Sequence, residues 1–150
     1  MKKAKPYIIV FVIIVALICI DQIVKMIVPK DETVLIPGLL KLTFSKNTGG
    51  AFSIGSNNLA QIIIINVIIL TFAIRFLITK IDKADKITKL TLCLIIAGGI
   101  SNLLDRIFRG YVIDYINIED FFKFPIFNIA DIFIVVRMDY FRSCNYYIYI

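Results

Sequence analysis

Four long apolar stretches dominate the pattern of hydrophobic and polar positions. Residues 7–20 carry no charge, and the run extends to 28 if Asp21 and Lys25 lie near an interface. Further runs cover 59–78 and 90–104, and a fourth begins near 126. A bilayer crossing takes roughly 20 apolar residues in a helix, so helices are expected over 7–28, 59–78, 88–107 and 127–150. Between the first two runs, "LLKLTFS" alternates Leu40, Leu42 and Phe44 with Lys41, Thr43 and Ser45. That is the two-residue period of a half-buried strand. "KNTGGAFS" follows, with Asn47, Gly49 and Gly50 supplying turn chemistry. A small amphipathic sheet lying on a membrane surface and a plain connecting hairpin both fit this loop. The predicted fold class is therefore an all-α integral membrane protein, with four transmembrane helices and a small extracytoplasmic sheet, in one domain over 1–150.

Composition supports that class: 59% of the residues are hydrophobic, too many for a small water-soluble core. The net charge of +6 comes from Lys and Arg flanking the apolar runs rather than from one basic face. This argues against nucleic acid and for a topology signal. Lys2, Lys3 and Lys5 precede the first run, and Lys80, Lys83, Lys86 and Lys89 sit between the second and third. Both segments are expected on the cytoplasmic side, with 28–58 and 105–125 outside. Cys19, Cys93 and Cys144 share no close spacing and His is absent, which disfavours a disulfide framework or a zinc site. The N-terminus resembles a signal peptide, and "ALIC" resembles a lipoprotein box ending at Cys19. Ile18 occupies the place of the small residue such a box requires, so the segment is read as a retained helix.

Candidate chemistry comes from acids in apolar surroundings. Gly98, Asn102, Asp105 and Arg106 fall on one face of the third helix. Helix packing, with an Asp105–Arg106 ion pair, explains that stripe without any function. Asp21 and Lys25, four apart, admit the same structural reading. Asp114 follows the third helix and Asp131 opens the fourth stretch, so both can meet at the outer interface. Asn128 shares a face with Asp131 if the helix has already begun. Ionisable groups at membrane depth are functional candidates, and two adjacent carboxyls in a poorly hydrated site do not both ionise readily. One can then deprotonate water while the other polarises a carbonyl, the chemistry of an aspartic protease. Glu119 and Asp120 read as solvated surface charges.

The blocks "DQIVK", "NTGGAF", "AGGISNLLDR", "GYVIDY" and "FNIAD", in that order over 21–131, resemble those of the lipoprotein signal peptidase (signal peptidase II) family. The resemblance implies a monomeric, multi-pass aspartic peptidase of the bacterial inner membrane, with a cytoplasmic N-terminus and an extracytoplasmic active site. It implies cleavage of prolipoproteins just before the cysteine that carries the diacylglyceryl group, with substrate and membrane lipids as partners and no metal or organic cofactor. Block by block, Asp114 and Asp131 fall on the catalytic pair. Asp21, Lys25, Asn47, Gly49, Asn102, Arg106 and Asn128 fall on supporting positions. Ser101 and Tyr115 depart from the family pattern, where Gly and Phe are usual.

The end of the chain departs further. Arg137, Asp139 and Arg142 would lie in the middle third of a crossing over 131–150 and oppose insertion by about 8–10 kcal/mol. A poorly inserted fourth segment and a weakly active or inactive enzyme are the expectation. A non-catalytic membrane subunit or a transporter component is the alternative, although a transporter usually holds its polar residues near the midplane. A Ser–Lys peptidase using Ser45 or Ser53 would need a paired Lys that no pattern singles out.

Overall fold

The structure, a computed structural model, describes residues 4–49, 58–118, 121 and 123–135. Three helices are long and apolar enough to cross a membrane: α1 (Ala4–Ile27), α2 (Leu59–Lys80) and α3 (Lys86–Arg109). At 1.5 Å per residue, their 22 to 24 residues span about 33–36 Å, enough for the hydrocarbon core. The first three expected helices are present, each longer or shifted by up to three residues, and in α2 and α3 capping rather than apolarity sets the ends. Asn58 caps α2 by accepting from the Ala60 and Gln61 amides. Asp85 caps α3 by accepting from the Thr88 amide at 2.6 Å. Gly110 ends α3 in the left-handed region at φ 80, a conformation that glycine adopts without penalty.

Among the described residues the expected fourth helix begins at 129 and is followed to 135. Three candidate spans, not four, are therefore described, and the charged tail lies outside the described residues, as do Glu119, Asp120, Gly50 and Ser53.

The apolar core joins Val10 of α1, Leu77 and Ile81 at the end of α2, and Leu92, Cys93 and Ile96 of α3. It follows that α1 and α3 run parallel, with α2 antiparallel to both. Outside this core the helices present an apolar exterior. Phe11, Ile64, Phe72 and Phe108 are each more than half exposed, which suits lipid rather than water. α3 is the most buried helix, and adjacent glycines let it touch two neighbours. A Cβ on Gly99 would meet Leu70 of α2 at 2.8 Å, and one on Gly98 would collide with the Ala130 carbonyl.

A three-stranded antiparallel sheet, β1 (Thr33–Ile36), β2 (Leu40–Asn47) and β3 (Val112–Asn117), covers the end of the bundle where α1 and α3 finish. The strand expected at 40–45 is thus two residues longer and belongs to a sheet rather than to a plain hairpin. β3 carries apolar residues on both faces and shows no clean alternation, so periodicity did not reveal it. The register puts Ser45 opposite Asp114 and Asn47 opposite Val112. Asn47 and Asp114 consequently share a face of the sheet. Past β3 the chain turns back, and Phe127 pairs with Ile116 through two backbone hydrogen bonds of 2.7 and 3.1 Å. That isolated bridge brings Asn128 beside Asp114.

Candidate active site

Asn128 is the hub of the polar cluster between α3, β3 and the helix at 129–135. Its buried side chain donates to Asp114 Oδ1 at 2.7 Å, Asn102 Oδ1 at 3.2 Å and the Ile113 carbonyl at 3.3 Å. Its Oδ1 accepts from the Asp131 amide at 3.0 Å, while Asp131 Oδ2 accepts from the Asn128 amide at 3.1 Å. This is a reciprocal capping box, which satisfies two backbone donors at once. The expectation that Asn128 and Asp131 share a helix face is corrected accordingly. Asn128 precedes the first helical turn, and the two residues meet by capping rather than by periodicity.

Each carboxyl receives two donors. Asp114 accepts from Asn47 Nδ2 at 2.8 Å as well as from Asn128. Asp131 Oδ1 accepts from Asn102 Nδ2 at 2.8 Å. The amides are themselves oriented by what their oxygens bind. Asn47 Oδ1 takes the Gly49 amide at 2.9 Å, so its nitrogen must face Asp114. Asn102 Oδ1 takes the Lys25 ammonium at 2.8 Å, so its nitrogen must face Asp131. Arg106 donates to the Gly49 carbonyl at 2.8 Å and to the Asn102 carbonyl at 3.2 Å, tying the turn after β2 to α3. Burial lifts the Asp114 carboxyl to about 6, helped by the negative charge of Asp131, while the Asn47 and Asn128 amides and Lys25 pull it down.

Beneath this cluster lies a charged one. Lys25 Nζ reaches Asp21 Oδ2 at 2.7 Å and Asp105 Oδ2 at 2.8 Å, with all three side chains fully buried. Together with Asn102, these partners saturate the three ammonium donors. The expected Asp105–Arg106 ion pair does not form. Consecutive helical residues point about 100° apart, so Asp105 faces α1 and also pairs with Arg109 one turn on. Gln22 Nε2 joins the same cluster, donating to Asp105 Oδ1 at 3.0 Å and to Ser101 Oγ at 2.9 Å.

All nine residues singled out by the sequence therefore fall in one connected network. Sequence reasoning missed Gln22, Ser101, Arg109 and Tyr115. For Ser101 and Arg109 a signal existed, since both continue the Gly98–Asn102–Asp105 stripe at helical spacing. Gln22 lies inside the "DQIVK" block, and Tyr115 was marked only as a departure from the family pattern.

Residues 13–141 match the family model described as Signal peptidase (SPase) II. The chain is 39% identical over 130 residues to a lipoprotein signal peptidase of Streptococcus thermophilus, covering 83% of this chain and 84% of the relative. It is 38% identical over 128 residues to one from Caldicellulosiruptor bescii, covering 83% and 81%. Two solved bacterial membrane enzyme structures superpose with TM-scores of 0.76 and 0.77, at 31% and 30% identity. They cover 86% and 90% of this chain and 82% and 90% of theirs. By family model, by relatives and by fold, this chain belongs to the signal peptidase II family.

Proposed function

We propose that Asp114 and Asp131 form the catalytic pair of an aspartic endopeptidase that cleaves diacylglyceryl-modified prolipoproteins just before the lipid-bearing cysteine. The observation that carries this reading is the single buried Asn128 bonded to both acids. It holds the two carboxyls at one end of the bundle. With one proton shared by the pair, the ionised carboxyl takes a proton from water as the water oxygen attacks the scissile carbonyl carbon. The protonated carboxyl donates to the carbonyl oxygen. The tetrahedral intermediate then collapses, its C–N bond breaks, and the leaving amine takes a proton from the pair. Asn47, Gly49, Asn102 and Arg106 hold the acids and the adjoining backbone in register. Asp21 and Lys25 brace them from below.

The basic flanks of α1 and of the α2–α3 connection favour a cytoplasmic N-terminus and a site on the extracytoplasmic side. Four crossings, a single peptidase domain and a monomer belong to the same reading. Purified protein incubated with a diacylglyceryl-modified prolipoprotein should release the signal peptide. Absence of any cleavage in folded protein whose fourth segment spans the membrane would overturn the assignment.

Two further expectations follow from the geometry. Asn128→Ala removes the donor to Asp114 and the cap of the helix bearing Asp131, and it should cost more activity than Ala at Asn47, Asn102 or Arg106. A loss of roughly 100-fold in kcat is expected, within the range for misplacing catalytic groups. Parent-like kcat in this variant would show that the hub is dispensable.

The second expectation concerns pH. An Asp114 carboxyl lifted to about 6 keeps its proton below that pH. The stability it contributes is complete below the ordinary carboxylate range and is lost as pH rises through about 6. The alkaline limb of kcat/KM should fall in the same region. Asn47→Ala removes a donor that favours the ionised form, so the limb should move to higher pH. An unchanged or downward-shifted limb would contradict the assignment of that limb to Asp114.

A further inference from the structure

The first N–H groups of a helix have no partner within it, and the helix at 129–135 meets this need from two other elements and its own N-cap. The Ile129 amide donates to Tyr115 Oη of β3 at 3.4 Å. The Ala130 amide donates to Asp21 Oδ1 of α1 at 3.0 Å. The Asp131 amide donates to Asn128 Oδ1 at 3.0 Å. Ser101 of α3, fully buried, acts one step behind. Its hydroxyl donates to Asp21 Oδ2 at 2.6 Å. With Lys25 also on Oδ2, the carboxylate is oriented so that Oδ1 is left for the Ala130 amide. On its other side Ala130 has its carbonyl packed against Gly98. The residue before Asp131 is thus held at both its amide and its carbonyl.

We propose that Ser101 and Tyr115 are positioning residues for the reaction. Through Asp21 and directly, they seat the first turn of the helix at 129–135 and so place Asp131 against Asn128 and Asp114. Neither residue is among those assigned by the block-by-block match. The inference rests on the reading of Asp131 as catalytic.

Removing either hydroxyl leaves the fold's other ties in place. Without the Ser101 hydroxyl, Asp21 retains Lys25 and the Ala130 amide, and Gln22 retains Asp105 and the Ser101 carbonyl. Without the Tyr115 hydroxyl, the β3 pairing to Phe127 persists. A loss of precision in placing Asp131, rather than a loss of substrate affinity, is therefore expected.

The test uses full-length protein in one detergent, with a diacylglyceryl-modified prolipoprotein as substrate. Parent, Ser101→Ala, Tyr115→Phe, the double variant and Ser101→Thr are compared. For Ser101→Ala, kcat per folded protein should fall roughly 10-fold, and for Tyr115→Phe roughly 3-fold, given its longer bond, with KM within about two-fold of the parent. The double variant should lose roughly the product of the two. Ser101→Thr, which keeps the hydroxyl, should recover activity relative to Ser101→Ala. Parent-like kcat in both single variants, a change in KM alone, or losses that only track the folded fraction would overturn the proposal. Asp131→Asn serves as the control that separates two failures. If it retains turnover, the catalytic reading itself fails. If it is inactive while both hydroxyl variants match the parent, only the positioning role fails.

Discussion

Asp114→Asn and Asp131→Asn should each abolish signal-peptide cleavage while leaving most of the protein folded. General acid–base catalysis by one group contributes about 10²- to 10⁴-fold, and an amide can neither accept the water proton nor deliver one. A fall in kcat of about 10³-fold or more is therefore expected for each variant. Asparagine matches the shape of the carboxyl, so packing survives. The cost comes from hydrogen bonding. Both oxygens of Asp114 accept from amide nitrogens, and an introduced NH2 group would face one of those donors. Rotating the Asn47 amide relieves the clash but gives up its bond to Gly49, so a destabilisation of about 1 kcal/mol is expected. Cleavage assays and thermal unfolding on the same preparations check both halves. Retained turnover in both variants would sink the aspartic mechanism.

Lys25→Met should produce the largest loss of stability. The ammonium sits between two fully buried carboxylates at 2.7 and 2.8 Å. Removing it leaves Asp21 facing Asp105, with Arg109 as the remaining ion-pair partner of Asp105 among the described residues. Breaking a buried ion pair from one side costs about 3–5 kcal/mol, because the remaining charge stays desolvated. Activity should fall with stability, since Asn102 loses the shorter of the two bonds that turn its nitrogen toward Asp131. The charge argument makes a sharper claim about the double variant. Asp21→Asn added to Lys25→Met removes the orphaned charge, and the new amide can still accept from the Ala130 N–H. Thermal unfolding should show recovery of about half the lost stability. A Lys25→Met protein as stable as the parent would mean that the cluster contributes nothing net.

The sequence made the helices legible because apolar runs and caps are local signals. The run at 59–78 needed only its own residues to declare a span, and Asn58, Asp85 and Gly110 mark helix ends that a closer reading of caps would have placed. Asp114 and Asp131 stood out for an equally local reason, since a carboxylate in an apolar stretch is costly unless something uses it. The five blocks then supplied the family, which the comparisons bear out.

Partners were not legible. Beside Asp105 the sequence offered Arg106, but helical geometry turns adjacent side chains apart, and the real partner, Lys25, lies 80 positions away on α1. Asn128 looked like a helix-face neighbour of Asp131 and is instead its cap. β3 was invisible to periodicity because both of its faces are covered. Composition and pattern determine on their own which segments leave water and which polar residues are anomalous, since transfer free energies act residue by residue. Only the tertiary structure decides which anomalies meet, because hydrogen bonds and ion pairs require atoms within about 3 Å, and that proximity is set by the packing of α1 on α3 and the pairing of β2 with β3.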